Sequence, residues 1–257
     1  MVIASAGGVA QVRLISVEDE ISLGRQSQQE VRRQVPELQD RDVKTYVAGV
    51  GSRLARRAGG PRYPYSFTVA NYREINAFAL PGGPVWVHRG AIAAAANEAQ
   101  LAAVLAHEIA HISQRHAADQ LSKSVMAQLG LGLLGAVLGN GSGASAAQMA
   151  AGMLANGVFL KFSRDDEREA DQVGLRMMQR AGWDGRGMLE LFEILQREAS
   201  RNPSQVEMFF SSHPSPQDRI GRLRAEVRGN GTRDTQQFRT NKARLLKMPA
   251  PRAMPRD

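Results

Sequence analysis

The hexapeptide Ala106-His107-Glu108-Ile109-Ala110-His111 lies inside the most helix-like stretch of the 257-residue chain, positions 97 to 119, an Ala-rich apolar run that no Pro or Gly interrupts. Leu101, Val104, Leu105, Ile109 and Ile112 recur at helical spacing, and Asn97 with Gln100 makes an N-cap and capping-box pair, so a buried helix is predicted here. Residues four apart on a helix differ by roughly 40° in azimuth, so the imidazoles of His107 and His111 project side by side and can hold one metal ion. Glu108 lies beside that pair, placed to touch a water on such an ion without being a ligand. The chain has only five histidines. A shuffled chain of this composition would contain about 0.005 matches to H-E-x-x-H. Two core histidines satisfied by hydrogen bonds would each need a separate partner and would leave Glu108 as a buried carboxylate without a role, which is costly.

With 43% hydrophobic residues, the chain can bury a substantial core as one large domain or a domain with appendages. The absence of Cys removes disulfides, thiolate zinc sites and cysteine nucleophiles, leaving His, Asp and Glu as ligands. Net charge is +8, and residues 219 to 257 alone carry 11 Lys and Arg against 3 acids. That stretch contains Pro249, Pro251 and Pro255 and is expected to be a solvated basic tail, a linker or a membrane-surface contact. No aromatic ladder, helix-turn-helix pattern or zinc-finger spacing points to nucleic acid. The opening "MVIASAGGVAQ" is apolar and small but lacks a basic region, so residues 1 to 16 read as a signal or anchor remnant, or as disordered.

Helices are predicted over 17 to 36 and over 40 to 59, the second capped by Asp40 with Val43, Tyr46, Val47, Val50 and Leu54 on one side. Residues 65 to 69, 75 to 80 and 85 to 88 are β-rich, and "PGG" at 81 to 83 turns the chain between the last two. A small antiparallel sheet beside the H-E-x-x-H helix is expected. Residues 125 to 162 hold two glycine-rich apolar runs around a hinge at 139 to 145. Each run is near 15 residues, short of the roughly 20 that span a bilayer, so a flexible helical hairpin covering the site is expected, with membrane-surface helices or a core hairpin as alternatives. Further helices are expected over about 164 to 180, stopped by Gly182, over about 185 to 198, and from Ser215-Pro216. The domain is thus expected over 17 to 228, with the tail at 229 to 257, in an α+β, mostly α-helical fold.

A catalytic zinc site needs three protein ligands and an open position. His88, His116, His213 and the carboxylates remain to supply the third. His116 is five residues past His111, about 140° round a continuous helix, and should point away from the metal. In the acidic cluster of residues 165 to 171, Glu167, Asp171 and Gly174 fall on one helical face, whereas Glu169 is about 200° from Glu167 and should be solvated. Gly174 would let that face approach the first helix closely. Glu167 is therefore assigned as third ligand, and Asp171 as the carboxylate that orients a ligand histidine.

"HEIAH", "SRDDEREADQVG", "INAFALPGG" and "SSHPSPQDRI" together resemble the HtpX-like and BepA-like zinc metallopeptidases, peptidase family M48 of the gluzincins, over about residues 40 to 225. The resemblance implies a zincin-type core, zinc on His107, His111 and Glu167, Glu108 as catalytic base and Asp171 in support. It also implies a periplasmic or bacterial-envelope setting in which soluble relatives act on misassembled outer-membrane proteins. The spanning helices and the C-terminal helical repeats of some members are not seen in this sequence. His213, held extended by Pro214, falls in a family-like motif. It is expected to reach the zinc site, either stabilising a developing oxyanion or occupying the open position in a resting state. Arg219 would neutralise charge nearby or pair with Asp218.

The expected chemistry is peptide hydrolysis by water activated on one zinc, with Glu108 moving the proton. Asn76, Ala77 and Phe78 in "INAFAL" are expected to bind an extended substrate by backbone pairing, favouring unfolded or misfolded polypeptide. The competing readings are a metal-stabilised chaperone or assembly module for outer-membrane proteins with little proteolysis, and a membrane-surface adaptor.

Overall fold

The computed structural model describes residues 2–4, 11–129, 161–213 and 219–255. A short antiparallel pair, β1 (Val2–Ala4) and β2 (Gln11–Arg13), precedes α1 (Val17–Gln34). Ser16 caps α1 reciprocally: its hydroxyl accepts from Asp19 N, and the Asp19 carboxylate accepts from Ser16 N. Asp40 caps α2 (Arg41–Ala55), which buries Val43, Val47, Val50 and Leu54 as its spacing predicts.

Three strands follow: β3 (Ser66–Ala70), β4 (Ala77–Ala79) and β5 (Pro84–His88), in the order β3-β5-β4. The β4–β5 hairpin is antiparallel, and Gly82 and Gly83 take φ of 71° and 134° in its turn, a region that favours glycine. The expectation of a purely antiparallel sheet is corrected, because β5 pairs with β3 in parallel. Burial explains this: all five residues of β5 are buried, so it takes the centre, whereas β4 is buried only at Ala77.

After α3 (Arg89–Ala94) comes the central element, α4 (Glu98–Gln114), buried at every residue from Glu98 to Ser113. Asn97 caps it by accepting from Gln100 N, and the Gln100 side chain reaches back to Ala96 N. The helix is buried all round because α2, the sheet, α6 (Arg164–Arg180) and α7 (Arg186–Arg201) surround it. It does not continue to 119. Arg115 sits in the left-handed region at φ 66°, and α5 (His116–Leu129) starts afresh. The buried Arg115 guanidinium explains the break. It donates to Glu20 Oε2 at 2.7 Å and to the Ile15 carbonyl at 2.6 Å, and Tyr63 donates to the same carboxylate oxygen.

A 3-10 turn (Pro203–Gln205), α8 (Glu207–Ser212), α9 (Arg219–Leu223) and α10 (Gln236–Lys247) complete the chain. Both expected appendages are corrected in part. Residues 11–16 pack onto α5: Arg13 pairs with Asp119, Leu14 N donates to Ser122 Oγ, and Ile15 is buried. In the presumed tail, α10 buries Phe238 and Leu245, and the Arg89 guanidinium donates to the carbonyls of Leu245, Met248 and Pro249. Glu98, at the start of α4, accepts from Tyr46 Oη, Trp183 Nε1 and Thr235 Oγ1. Composition misled here because the charges of residues 229–255 are mostly exposed, while some apolar residues and carbonyls find buried partners in the body. Of the glycine-rich hairpin, residues 130–160 lie outside the described residues, as does the expected cap at 215–216.

Candidate metal centre and active site

Gly174 is where α6 crosses α4: a Cβ there would stand 3.1 Å from the Ala106 carbonyl oxygen and 3.2 Å from His107 N. Its bare Cα lets the two helices close up, and that closeness brings Glu167, one face of α6, against His107 and His111. His107 Nε2 and His111 Nε2 lie 3.1 Å apart, and Glu167 Oε1 lies 3.3 Å from His111 Nε2. Glu167 Oε2 is 3.6 Å from His107 Nε2. His213, extended at φ −117° and ψ 102° at the end of α8, brings Nδ1 to 2.8 Å from Glu167 Oε1 and 3.3 Å from His107 Nε2. One donor atom from each of these four residues falls within 4.8 Å of the others, and all four side chains are buried.

These spacings fit a shared cation. Donors bound at 2.0 to 2.1 Å in a tetrahedron stand roughly 3.3 Å from one another. Ring nitrogens and carboxylate oxygens facing one another, buried from water, offer more lone pairs than their own protons can serve. The chemistry of the set, three imidazoles and one carboxylate with no thiolate, suits zinc.

Glu108 is completely buried beside this cluster, and neither carboxylate oxygen has a hydrogen bond among the described residues. His213 Nε2 is the near group, 3.6 Å from Glu108 Oε1. Asp171 is one turn beyond Glu167. Its Oδ1 stands 3.1 Å from His107 Nδ1, a close approach whose angle is off the hydrogen-bond line. Arg219 is the residue whose place sequence reasoning left open between surface and site. It is buried, binds both oxygens of Asp171, and reaches Glu167 Oε2 with Nη1 at 2.7 Å. It also lies over the Phe192 ring.

The electrostatics follow from burial against neighbours. Burial pushes His111 well below the ordinary imidazole range, with Glu167 pulling the other way. Burial also opposes ionisation of Glu167, but the charges and hydrogen bonds of His213, His111 and His107 outweigh it and hold the carboxyl well below its usual range. His213 is raised: burial disfavours its cation, and Glu167 and Glu108 overcome that.

His116 departs from its expected place. Because the helix breaks at Arg115, it turns inward, fully buried, with Nδ1 at 2.9 Å from His111 Nδ1 and Nε2 at 3.4 Å from Glu169 Oε2. Glu169 is more than half exposed, as its azimuth predicts, yet it reaches this ring. Phe162, which sequence reasoning passed over, stacks on His111 with centroids 3.9 Å apart. Only its position just before α6 hinted at a role. His88 lies apart from the cluster, against Tyr72 and Phe78. Asn76, Ala77 and Phe78 fall at and just before β4, the sheet edge, which packs against α4.

The sequence of residues 41–227 matches the model of Peptidase family M48. This chain belongs to that family. Among its described residues, His107, His111, Glu167 and His213 form a group that could hold a metal ion. The beta-barrel assembly-enhancing protease of Escherichia coli (strain K12) is 32% identical over 256 residues, covering 94% of this M48 chain and 51% of that protein. The mitochondrial metalloendopeptidase OMA1 of Schizosaccharomyces pombe is 33% identical over 178 residues, 69% of this chain and 51% of its own. Metalloprotease YcaL of Escherichia coli (strain K12) is 28% identical over 183 residues, 69% of this chain and 70% of its own. The chain spans about half the length of the first two.

Proposed function

We propose that this M48 chain is the peptidase unit of a bacterial-envelope endopeptidase that cleaves unfolded or misassembled polypeptide, with one zinc held by His107, His111 and Glu167. The observation that carries the reading is Glu108: a carboxylate with no exposed surface and no hydrogen bond among the described residues, set against the metal-ligand cluster. Burying such a group without a hydrogen bond is costly, and a proton-transfer role accounts for it. When bound, zinc supplies a Lewis acid for a carbonyl oxygen and makes water acidic near neutral pH.

Glu108 accepts the proton as water adds to the scissile carbonyl, then gives it to the departing amine nitrogen as the C–N bond breaks. Its burial keeps the carboxylate out of bulk water. Asp171 faces the Nδ1 side of His107, leaving Nε2 free for the centre. Arg219 neutralises Asp171 and Glu167, so that two buried carboxylates tolerate each other before metal binds. His213, within hydrogen-bond distance of Glu167 and His107, supports the resting-state alternative over the oxyanion role: as a further ligand it would have to withdraw for substrate.

Substrate is placed along β4, where Asn76, Ala77 and Phe78 offer an edge whose pairing reads main chain rather than side chains. Such recognition suits unfolded polypeptide. The name of the Escherichia coli and Yersinia pestis relatives, beta-barrel assembly-enhancing protease, supports an envelope location and contact with outer-membrane assembly machinery or the membrane surface. Among the described residues no helix is long and apolar enough to cross a membrane.

The test compares zinc content and cleavage of unfolded casein for the native chain and Glu108→Gln. Equal zinc near one per chain, with cleavage confined to the native protein, is expected. A native chain that binds zinc, protects unfolded protein from aggregation and cleaves nothing would put the chaperone reading ahead.

A further inference from the structure

The two motif histidines are backed differently. His107 Nδ1 faces the Asp171 carboxylate directly, whereas His111 Nδ1 faces another imidazole, Nδ1 of His116, at 2.9 Å. That contact dictates a proton order. A neutral imidazole has one N–H and one lone pair. If His111 Nε2 is to offer its lone pair to the centre, the proton must sit on Nδ1 and be donated to His116 Nδ1. His116 must then carry its own proton on Nε2, where Glu169 Oε2, 3.4 Å away, accepts it. The chain Glu169, His116, His111 therefore admits a single arrangement compatible with metal binding.

We infer that His116 and Glu169 are positioning residues that lock His111 in the tautomer whose Nε2 lone pair points into the metal cluster. The inference rests on the zinc reading above. Three features hold the pair in place. Arg115, in its left-handed conformation with the guanidinium tied to Glu20 and Ile15, starts α5 where the His116 ring turns back beneath His111. Phe162 stacks on the His111 face and so removes one way of tilting. Gln120, one turn along α5 from His116, donates to Asp166 at 2.7 Å and fixes α5 against α6, the helix that carries Glu169. The relay also differs in exposure at its two ends: His116 is buried, while the Glu169 side chain is 55% exposed.

The experiment measures zinc affinity by chelator competition, with metal-free melting as a control, for the native chain, His116→Leu, His116→Gln and Glu169→Ala. Partners that orient ligand histidines are typically worth about ten- to a hundredfold in metal affinity. His116→Leu, which offers no acceptor, is expected to weaken zinc by that factor. His116→Gln, which accepts through its amide oxygen, is expected to recover most of the loss. Glu169→Ala, at an exposed position with little effect on folding, is expected to weaken zinc severalfold while the metal-free melting temperature stays put. Native affinity in both His116→Leu and Glu169→Ala would overturn the relay and leave the zinc site standing. Equal weakening in His116→Leu and His116→Gln, in step with their melting temperatures, would reduce His116 to a packing residue. A native chain that binds no zinc would remove the centre and the relay together.

Discussion

Arg219 grips Asp171 with two hydrogen bonds of 2.5 Å, Nε to Oδ2 and Nη2 to Oδ1, across 48 residues of sequence. The fork matches the carboxylate plane, and Nη1 extends the same cation to Glu167. Arg219→Ala would leave two carboxylates facing each other in a buried site. Metal-free protein should lose about 3–5 kcal/mol in urea unfolding. Arg219→Lys, which keeps the charge and loses the fork, should fall between. Added zinc should narrow the gap, because a dication then balances the same carboxylates. An unchanged unfolding midpoint for Arg219→Ala in chelator would refute this.

Gly174→Ala tests the helix crossing. Alanine suits a helix better than glycine by up to about 1 kcal/mol, but the new methyl meets the α4 backbone near 3.1 Å, and such overpacking costs about 1–3 kcal/mol. The net expectation is a modest loss of stability with a larger loss of zinc affinity, since moving α6 outward withdraws Glu167. Calorimetry beside a zinc titration separates the two effects.

His213→Ala should raise the rate of casein cleavage per bound zinc while weakening zinc retention, if the imidazole holds the fourth direction at rest. Steady-state turnover with zinc held in excess measures the first, and chelator competition the second. A fall in turnover with affinity intact would instead favour the oxyanion role.

His88 supplies a pH dependence away from the centre. Burial pushes its pKa down to about 4, against the pull of Glu74. The unfolded chain takes up this proton below about pH 6.5, while the folded chain refuses it until about pH 4. Stability therefore falls as pH drops through that window, by about 3 kcal/mol in all. Urea unfolding of the native chain and of His88→Gln between pH 7 and pH 4 should diverge by that amount, the variant having the flatter profile.

Much of the centre was legible because helical periodicity carries it. His107 with His111, and Glu167 with Asp171 and Gly174, are each set by spacings of three and four residues, and two helices that share a core can meet only on those faces. Arg219 and His116 were less legible for different reasons. Nothing local says that an arginine 48 residues away closes on Asp171. An arginine in the left-handed region is no recognisable helix stop, so His116 was projected along a helix that had already ended. The parallel β3–β5 pairing was hidden in the same way, since a hairpin turn specifies its own two strands and not the third. The docking of α10 and the residues after it depends on the carbonyls of Leu245 and Pro249 meeting the buried Arg89, a partnership that charge counting does not register.

Glu98 gathers donors from Tyr46, Trp183 and Thr235 at the first turn of the helix that bears His107, Glu108 and His111. A ribosome delivers those three partners far apart in time, and Thr235 last. Until it emerges, the buried carboxylate lacks one of its donors, and α10, whose cap is the same threonine, has not closed over Arg89. The helix that bears the H-E-x-x-H motif is thus tied at its first turn to a residue 137 positions later in the chain.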